Sequence, residues 1–307
     1  MNWKNRPWVK VLTWAAFAFA LFLVATKVPF RELGPVLKRC RWEFLVGAVL
    51  VQYPLAYVQA LRWKLLFQKQ QLPLHKFLYF VFLGAYFNLF LPSSVLSEAG
   101  KVLAFGQKYG DLQENVGIAL FNKAIGFFLQ FALGVIGLIL YAQEFRQKGI
   151  SLDLHLQRPS LWFAAAIITV IGTYAGWRWL ARGLKQTWAR TFLDLARNKP
   201  MLVKTILLTA AIQLLSVLSG YLAFKSLYPE IHFWQIVFFS TIIVAVLLLP
   251  FSLGGLGVRE YLNLLLYSDI GGIPSGIVFA ANLLGYVPLL AAAATGFIWM
   301  ISRRVRN

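Results

Sequence analysis

Apolar residues fall along this chain in runs of about twenty, divided by short basic segments, and two further runs are interrupted near their middle. A helix needs about 20 apolar residues to cross the roughly 30 Å hydrocarbon core of a bilayer. The pattern predicts such spans near Trp8–Thr26, Trp42–Leu61, Ile118–Tyr141, Leu161–Leu180, Leu202–Leu222 and Ile277–Ile301. Of the interrupted runs, the first enters through Phe77–Leu91, breaks at NLFLPSSVLSEAGKV (Asn88–Val102) and leaves through Val102–Phe105. The second enters through Phe233–Leu249, breaks at LLLPFSLGGLGVREY (Leu247–Tyr261) and leaves through Tyr261–Tyr267.

In lipid every backbone N–H and C=O must be paired within the protein, so an apolar helix broken by Pro, Ser and Gly survives only where it lines a cavity. Both breaks share Leu-Pro-x-Ser-apolar, as Leu91, Pro92, Ser94 and Val95 and again as Leu249, Pro250, Ser252 and Leu253. Breaks in corresponding positions of two halves are the mark of transporters built from inverted repeats. The exit arms are too short to cross, so each interrupted run reads as a re-entrant hairpin. The order span, span, hairpin, span then occurs twice, and an odd number of crossings per half turns the second half over.

The expected architecture is therefore an all-α, polytopic integral membrane protein of two inverted repeats, each with a broken re-entrant helical hairpin. Residues 1–141 form the first repeat, with its hairpin around 77–106, and 142–160 the connecting loop. Residues 161–307 form the second repeat, with its hairpin around 233–268.

Composition agrees: 59% of the residues are hydrophobic and 13% charged, against about 25% charged in soluble domains. The net charge of +19 would suit nucleic acid, but the basic residues sit beside apolar spans, where they set orientation and meet anionic lipid. Arg62, Lys64 and Lys69, the group from Arg182 to Lys199, the N-terminus and the tail Arg303, Arg304 and Arg306 all fall on one side, which the positive-inside rule makes cytoplasmic. Lys27–Arg41 disagrees, being basic yet on the other side; an amphipathic helix after Gly34-Pro35, lying among headgroups, would reconcile it. Trp8–Thr26 is longer than a signal-peptide core and is expected to be a retained helix. Cys40 is the one cysteine, so no internal disulfide and no cysteine-based metal cluster can form. Hydrolase and nucleotide-binding spacings are absent, and neither an enzymatic activity nor a cofactor is expected.

Charge near the breaks carries the candidate chemistry. Around the first stand Glu98 and Lys101, with Asn88 on the entry arm; Asn122 and Lys123 lie early in the next span; around the second stand Arg259 and Glu260, then Asn263. An ionisable group within a membrane costs at least about 2.5 to 3.5 kcal/mol on insertion scales, so it has a partner or faces a wet cavity. One reading is that the acids pair with the cations and stitch the repeats together. The other starts from Lys101, Lys123 and Arg259 outnumbering Glu98 and Glu260, a surplus that an anion would balance. Ser93, Ser94 and Ser252 can donate hydrogen bonds from the breaks, and Gly254, Gly255 and Gly257 would leave backbone N–H groups open to phosphate or carboxylate, or else permit close hairpin packing. Trp3, Trp8, Trp42, Trp63 and Trp162 read as interfacial belt residues. Gln130, Gln213 and Asn282 read as interhelical hydrogen-bonders.

At these residues the chain resembles the flippase-like family, whose hydrophobic domain is also the transmembrane region of lysyl-phosphatidylglycerol synthases. LPFSLGGLGVRE is very close to that family's Pro-x-Ser-x-Gly-Gly-x-Gly-x-Arg-Glu signature, and NLFLPSSVLSEAGKV looks like its Leu-Pro-Ser segment with an acid and a base at Glu98 and Lys101. The chain departs from the family at Leu96-Ser97, where Gly-Gly is usual, and at Asn122-Lys123, where the family tends to have an acid and an arginine. The resemblance runs from about Trp8 to the C-terminus. It implies a bacterial inner-membrane protein, both termini cytoplasmic, that handles an anionic phospholipid or lipid-linked phosphate between leaflets. The chain stops at Asn307, six residues after the last span, so the aminoacyltransferase activity of the synthases is not expected.

The expected substrate site is thus Lys101, Lys123 and Arg259 holding a phosphate, with Glu98 and Glu260 orienting them and Ser94, Ser252, Gly254 and Gly255 contributing from the breaks. A protonatable Glu98 or Glu260 would couple movement to an ion gradient. Two other readings stand beside it: a non-transporting scaffold of envelope-lipid synthesis, and a membrane transferase acting on a lipid-linked substrate. A homo-oligomer or an envelope-synthesis complex would be the protein partner.

Overall fold

The computed structural model describes residues 33–67, 71–90, 102, 105–106, 109, 112–147, 187–247 and 258–304. Within them all regular structure is helical. The elements are α1 (Leu33–Lys38), α2 (Trp42–Leu66), α3 (Leu74–Phe90), α4 (Leu112–Gln147), α5 (Thr187–Arg197), α6 (Lys199–Lys225), α7 (Phe233–Leu247), α8 (Val258–Asn263) with a π-helical continuation (Leu264–Ile270), α9 (Ser275–Leu284) and α10 (Tyr286–Arg304). Among the described residues four stretches are long and apolar enough to span a bilayer: Trp42–Leu66, Leu112–Gly137, Lys199–Lys225 and Ser275–Ser302. The expected spans at 8–26 and 161–180 lie outside the described residues, as do 91–101 of the first break and 248–257 of the second.

These helices keep large apolar side chains on their outsides. On α2, Trp42, Val46, Leu50, Tyr53 and Tyr57 recur along one exposed face; on α4, Phe127, Phe128, Phe131, Val135 and Ile139 do the same. Such a surface would aggregate in water and is what a helix offers to lipid. The chain is an all-α, multi-pass membrane protein.

Several boundaries differ from the hydropathy reading. α4 begins six residues before Ile118, because Leu112–Gly117 continues the helix through polar residues that α5 covers, and it runs to Gln147, past the expected end of the first repeat at 141. The last span is two helices, parted at Gly285. Pro288 explains the division, since it lacks the N–H that would bond the carbonyl of Leu284. The short helix near Gly34-Pro35 starts at Leu33 rather than after the proline.

Packing is antiparallel and pairs elements across the two halves of the chain. α2 lies along α6, joined where Gln52 Nε2 donates to Ser219 Oγ at 2.9 Å and, further along, where Arg62 Nη1 donates to Thr209 Oγ1 at 3.0 Å. The C-terminal end of α2 thereby meets the N-terminal part of α6, so the basic segments around Lys64 and Lys199 share one end of the molecule. α6 is started there by Asn198, whose side chain accepts from the Met201 N–H at 3.2 Å, and by Pro200 in the first turn.

α10 packs on α3, and α4 packs on α7. Both crossings depend on glycine. A Cβ on Gly296 of α10 would strike the Phe82 backbone carbonyl of α3, and one on Gly137 of α4 would come 2.9 Å from the Phe238 N of α7. Small residues let membrane helices approach this closely, and packing rather than hydrophobicity is what holds them.

Two aromatic centres complete the core. In one, Phe105 of the first exit arm meets Phe67 at 4.6 Å, Phe80 at 5.2 Å, Phe77 at 5.6 Å and Trp63 at 5.8 Å between ring centres. In the other, Tyr267 of the second exit arm meets Phe224 at 4.6 Å and Phe239 at 4.9 Å. Trp63 is 4% exposed, so it is a core residue and not the interfacial belt residue its place near a span end suggests. Trp42, 63% exposed, does stand at a helix end on the outer face.

Candidate functional site

The residues that follow the second break come together with a partner that lies 26 positions away in sequence. α8 opens at Val258 and carries Arg259, exposed, and Glu260, half-buried. The turn at Gly285 starts α10 with Tyr286, whose hydroxyl donates to Glu260 Oε1 at 2.6 Å. The Arg259 guanidinium carbon stands 5.3 Å from the centre of the same ring, a cation–π arrangement. Below them the buried Asn263 donates from Nδ2 to the Arg259 carbonyl at 2.8 Å, tying its side chain into the turn that presents the guanidinium.

This cluster has a definite chemical capacity. The ring holds beside it a guanidinium that still reaches the surface. A planar fork of N–H donors takes a phosphate or carboxylate with two parallel hydrogen bonds, which a lysine cannot do. The phenol fixes one carboxylate oxygen of Glu260 beside it.

Lys123 stands elsewhere. It is exposed on α4 and makes no hydrogen bond or ion pair with another described residue, while Asn122, the next residue back, is buried. One helical step of about 100° separates the two side chains. Asn122 lines a narrow cleft with Trp63, Leu66, Phe67, Val102, Ile118 and Ala119. Among the described residues no contact joins Lys123 to the Arg259 cluster. Ser93, Ser94, Glu98, Lys101, Ser252, Gly254, Gly255 and Gly257 lie outside the described residues.

Two of the intramembrane amides act as expected. Gln130 Nε2 donates to Thr241 Oγ1 at 3.0 Å across the α4–α7 crossing, and Gln213 Nε2 donates to the Gly126 carbonyl at 3.2 Å. Asn282 is the exception: its Nδ2 is buried without a hydrogen-bond partner, as are Nδ2 and Oδ1 of Asn115 and Oδ1 of Asn122.

Tyr286 is the site residue that the sequence reading missed. No motif spacing links it to Arg259-Glu260. The available signal was Gly285 and Pro288 inside an otherwise continuous apolar run, which marks a kink with Tyr286 at its corner.

Compared with models of protein families, residues 9–302 match the Lysylphosphatidylglycerol synthase TM region. No curated protein and no solved structure matches the chain.

Proposed function

Because the chain belongs to the lysylphosphatidylglycerol synthase TM region family, we propose that it binds an anionic lipid or polyprenyl-phosphate-type headgroup at the breaks and carries it between leaflets, with no chemistry of its own. The observation that carries this reading is the exposed Arg259 guanidinium, set on the face of Tyr286 directly beyond the second break. Its phosphate would replace water on a fork already placed over the ring, while Glu260, anchored by the Tyr286 hydroxyl, offsets the positive charge when the site is empty.

The inverted-repeat arrangement is part of the same reading. What supports it is the reciprocity of the packing: the last helix of each half lies on the entry arm of the other, α10 on α3 and α4 on α7. The aromatic centres correspond too, each made by an exit-arm ring with rings from its own entry arm and preceding long helix. Re-entrant hairpins meeting between such halves would open a polar path for the headgroup while the acyl chains stay in lipid. The basic ends described above would face the cytoplasm of a bacterial cell.

Native mass spectrometry with lipid analysis of the purified protein tests the proposal. Wild type should carry one anionic lipid class, and Arg259→Ala should lose about tenfold or more of it, a charge-assisted pair contributing about 1.5–3 kcal/mol. Lys123→Ala tests whether the second cation shares the load. Liposomes containing that lipid should then show protein-dependent exchange between leaflets. If wild type and both variants carry the same unselective lipids, the charges only stitch helices together and the scaffold reading replaces this one.

A further inference from the structure

Buried polar atoms nearly always have hydrogen-bond partners, and those that do not call for an explanation. Among the described residues three asparagines hold such atoms, and all three lie within about three turns of the start of a helix that follows an exit arm: Asn115 and Asn122 on α4, Asn282 on α9. Asn115 is fully buried. Its Nδ2 is pressed against Gly106 of the first exit arm, where an added methyl group would come within 2.8 Å of that nitrogen.

Asn122 follows on the same face of α4, about 10 Å further along the axis. Its cleft, walled by Trp63, Leu66, Phe67, Val102 and Ile118, is too tight to seat a water molecule. Both polar atoms of the Asn115 amide are therefore unpaired, and so is the Asn122 carbonyl oxygen, which has no room for solvent beside it. Leucine has nearly the shape of asparagine and would fill the same space without an unmet polar atom. Asparagine at both places suits a state in which a polar ligand fills the seam.

We propose that Asn115 and Asn122 are headgroup-binding residues: when the seam beside α4 widens to admit a lipid, their carboxamides hydrogen-bond the hydroxyls of a glycerol or sugar headgroup. A carboxamide presents two donor hydrogens and an acceptor oxygen, which matches a hydroxyl that both donates and accepts. A phosphate diester only accepts, and a quaternary ammonium has neither hydrogen to give nor lone pair to offer. The inference rests on the lipid-carrying reading above, and adds to it that the seam beside α4 selects hydroxylated headgroups at a point of the path apart from Arg259, which meets the charge.

The test uses the full chain in vesicles containing equal amounts of phosphatidylglycerol and phosphatidylethanol. Both are singly charged phosphodiesters, and only the first has free hydroxyls. Native mass spectrometry should show wild type retaining phosphatidylglycerol roughly threefold to tenfold over phosphatidylethanol, the selectivity of one or two neutral hydrogen bonds. Asn115→Leu and Asn122→Leu should each bring that ratio toward one while raising the thermal unfolding temperature of the lipid-free protein, since each removes an unmet polar atom.

An unchanged ratio in both variants overturns the inference. So does a lower unfolding temperature in both, which would mean that the amides are already satisfied at rest. Arg259→Ala keeps the two ideas apart: it should reduce both lipids together with no change in their ratio. Undiminished retention of both would sink the anion site while the Asn115 and Asn122 ratios still report on the hydroxyls.

Discussion

Each break is followed by an arm that buries one ring, and the two rings are held differently. Phe105 sits among Phe67, Phe77, Phe80 and Trp63, with Tyr109 at 5.4 Å on its own arm. Tyr267 has Phe224 and Phe239, and it belongs to a π-helical turn in which Gly271 N–H bonds back to the Leu266 carbonyl at 2.9 Å. In lipid a ring gains little from leaving the solvent, which is already apolar, so its worth lies in the contacts it makes. The first arm is fixed by rings on several sides. Among the described residues the second is held by two rings from other helices and a widened turn, and it is the one that lies beside the exposed guanidinium.

That difference predicts the largest effect. Phe105→Ala should cost about 3–5 kcal/mol, as expected when a buried ring is replaced by a cavity among partners that cannot collapse into it. Tyr267→Ala should cost less, about 3 kcal/mol, because among the described residues fewer rings lose a partner. Thermal unfolding of the two variants in one detergent and lipid mixture checks the order. Equal losses, or a larger one for Tyr267, would mean that the π-helical turn and not the ring count decides the stability of an exit arm.

The helix crossings show the same contrast. At the α10–α3 crossing Gly296 faces backbone, and rings flank it: Tyr86 with Phe297 at 5.5 Å and Tyr79 with Trp299 at 5.8 Å. At the α4–α7 crossing Gly137 faces backbone, Gly134 faces the Thr241 side chain, and the bond beside them is Gln130 to Thr241. Gly296→Ala should cost about 3 kcal/mol, at the upper end of overpacking penalties, since a carbonyl cannot rotate away. Gly137→Ala should cost about 2 kcal/mol, its nearest contact being a longer one.

How far this was legible in the sequence depends on the kind of residue. The four long spans among the described residues were plain, because length and apolarity are all that lipid demands of them. The breaks, and with them Arg259 and Glu260, stood out because Pro, Ser, Gly and charge are conspicuous in an apolar run. Trp63 was misread because a tryptophan near a span end looks the same whether it meets headgroups or other helices; only the position of Phe105 settles it. Asn122 and Lys123 are adjacent in sequence and point to different surroundings, which needs the phase of α4. Tyr286 reaches Glu260 through a turn whose angle no spacing encodes. Gly134 and Gly137 passed without notice among the chain's 23 glycines, since their role exists only against α7.

The smallest effects belong to the polar crossing, and they separate it most cleanly from the aromatic one. An alanine methyl at Gly134 meets the Thr241 side chain, with Cβ at 2.7 Å and Oγ1 at 2.9 Å, and Cγ2 in the way as well. Gly134→Ala should cost about 1–2 kcal/mol, and Thr241→Ser, which deletes Cγ2 and keeps the hydroxyl, should restore part of that in the double variant. No side-chain change can do the same for Gly296→Ala, whose obstacle is the Phe82 carbonyl. Gln130→Leu should cost only about 0.6 kcal/mol, a typical interhelical hydrogen bond in a membrane, because the Thr241 hydroxyl still donates to the Val237 carbonyl at 2.9 Å. A double-mutant cycle by thermal unfolding measures both. If Thr241→Ser gives no relief to Gly134→Ala, the approach of α4 to α7 is set by backbone contact at Gly137 alone, and the two crossings are built alike after all.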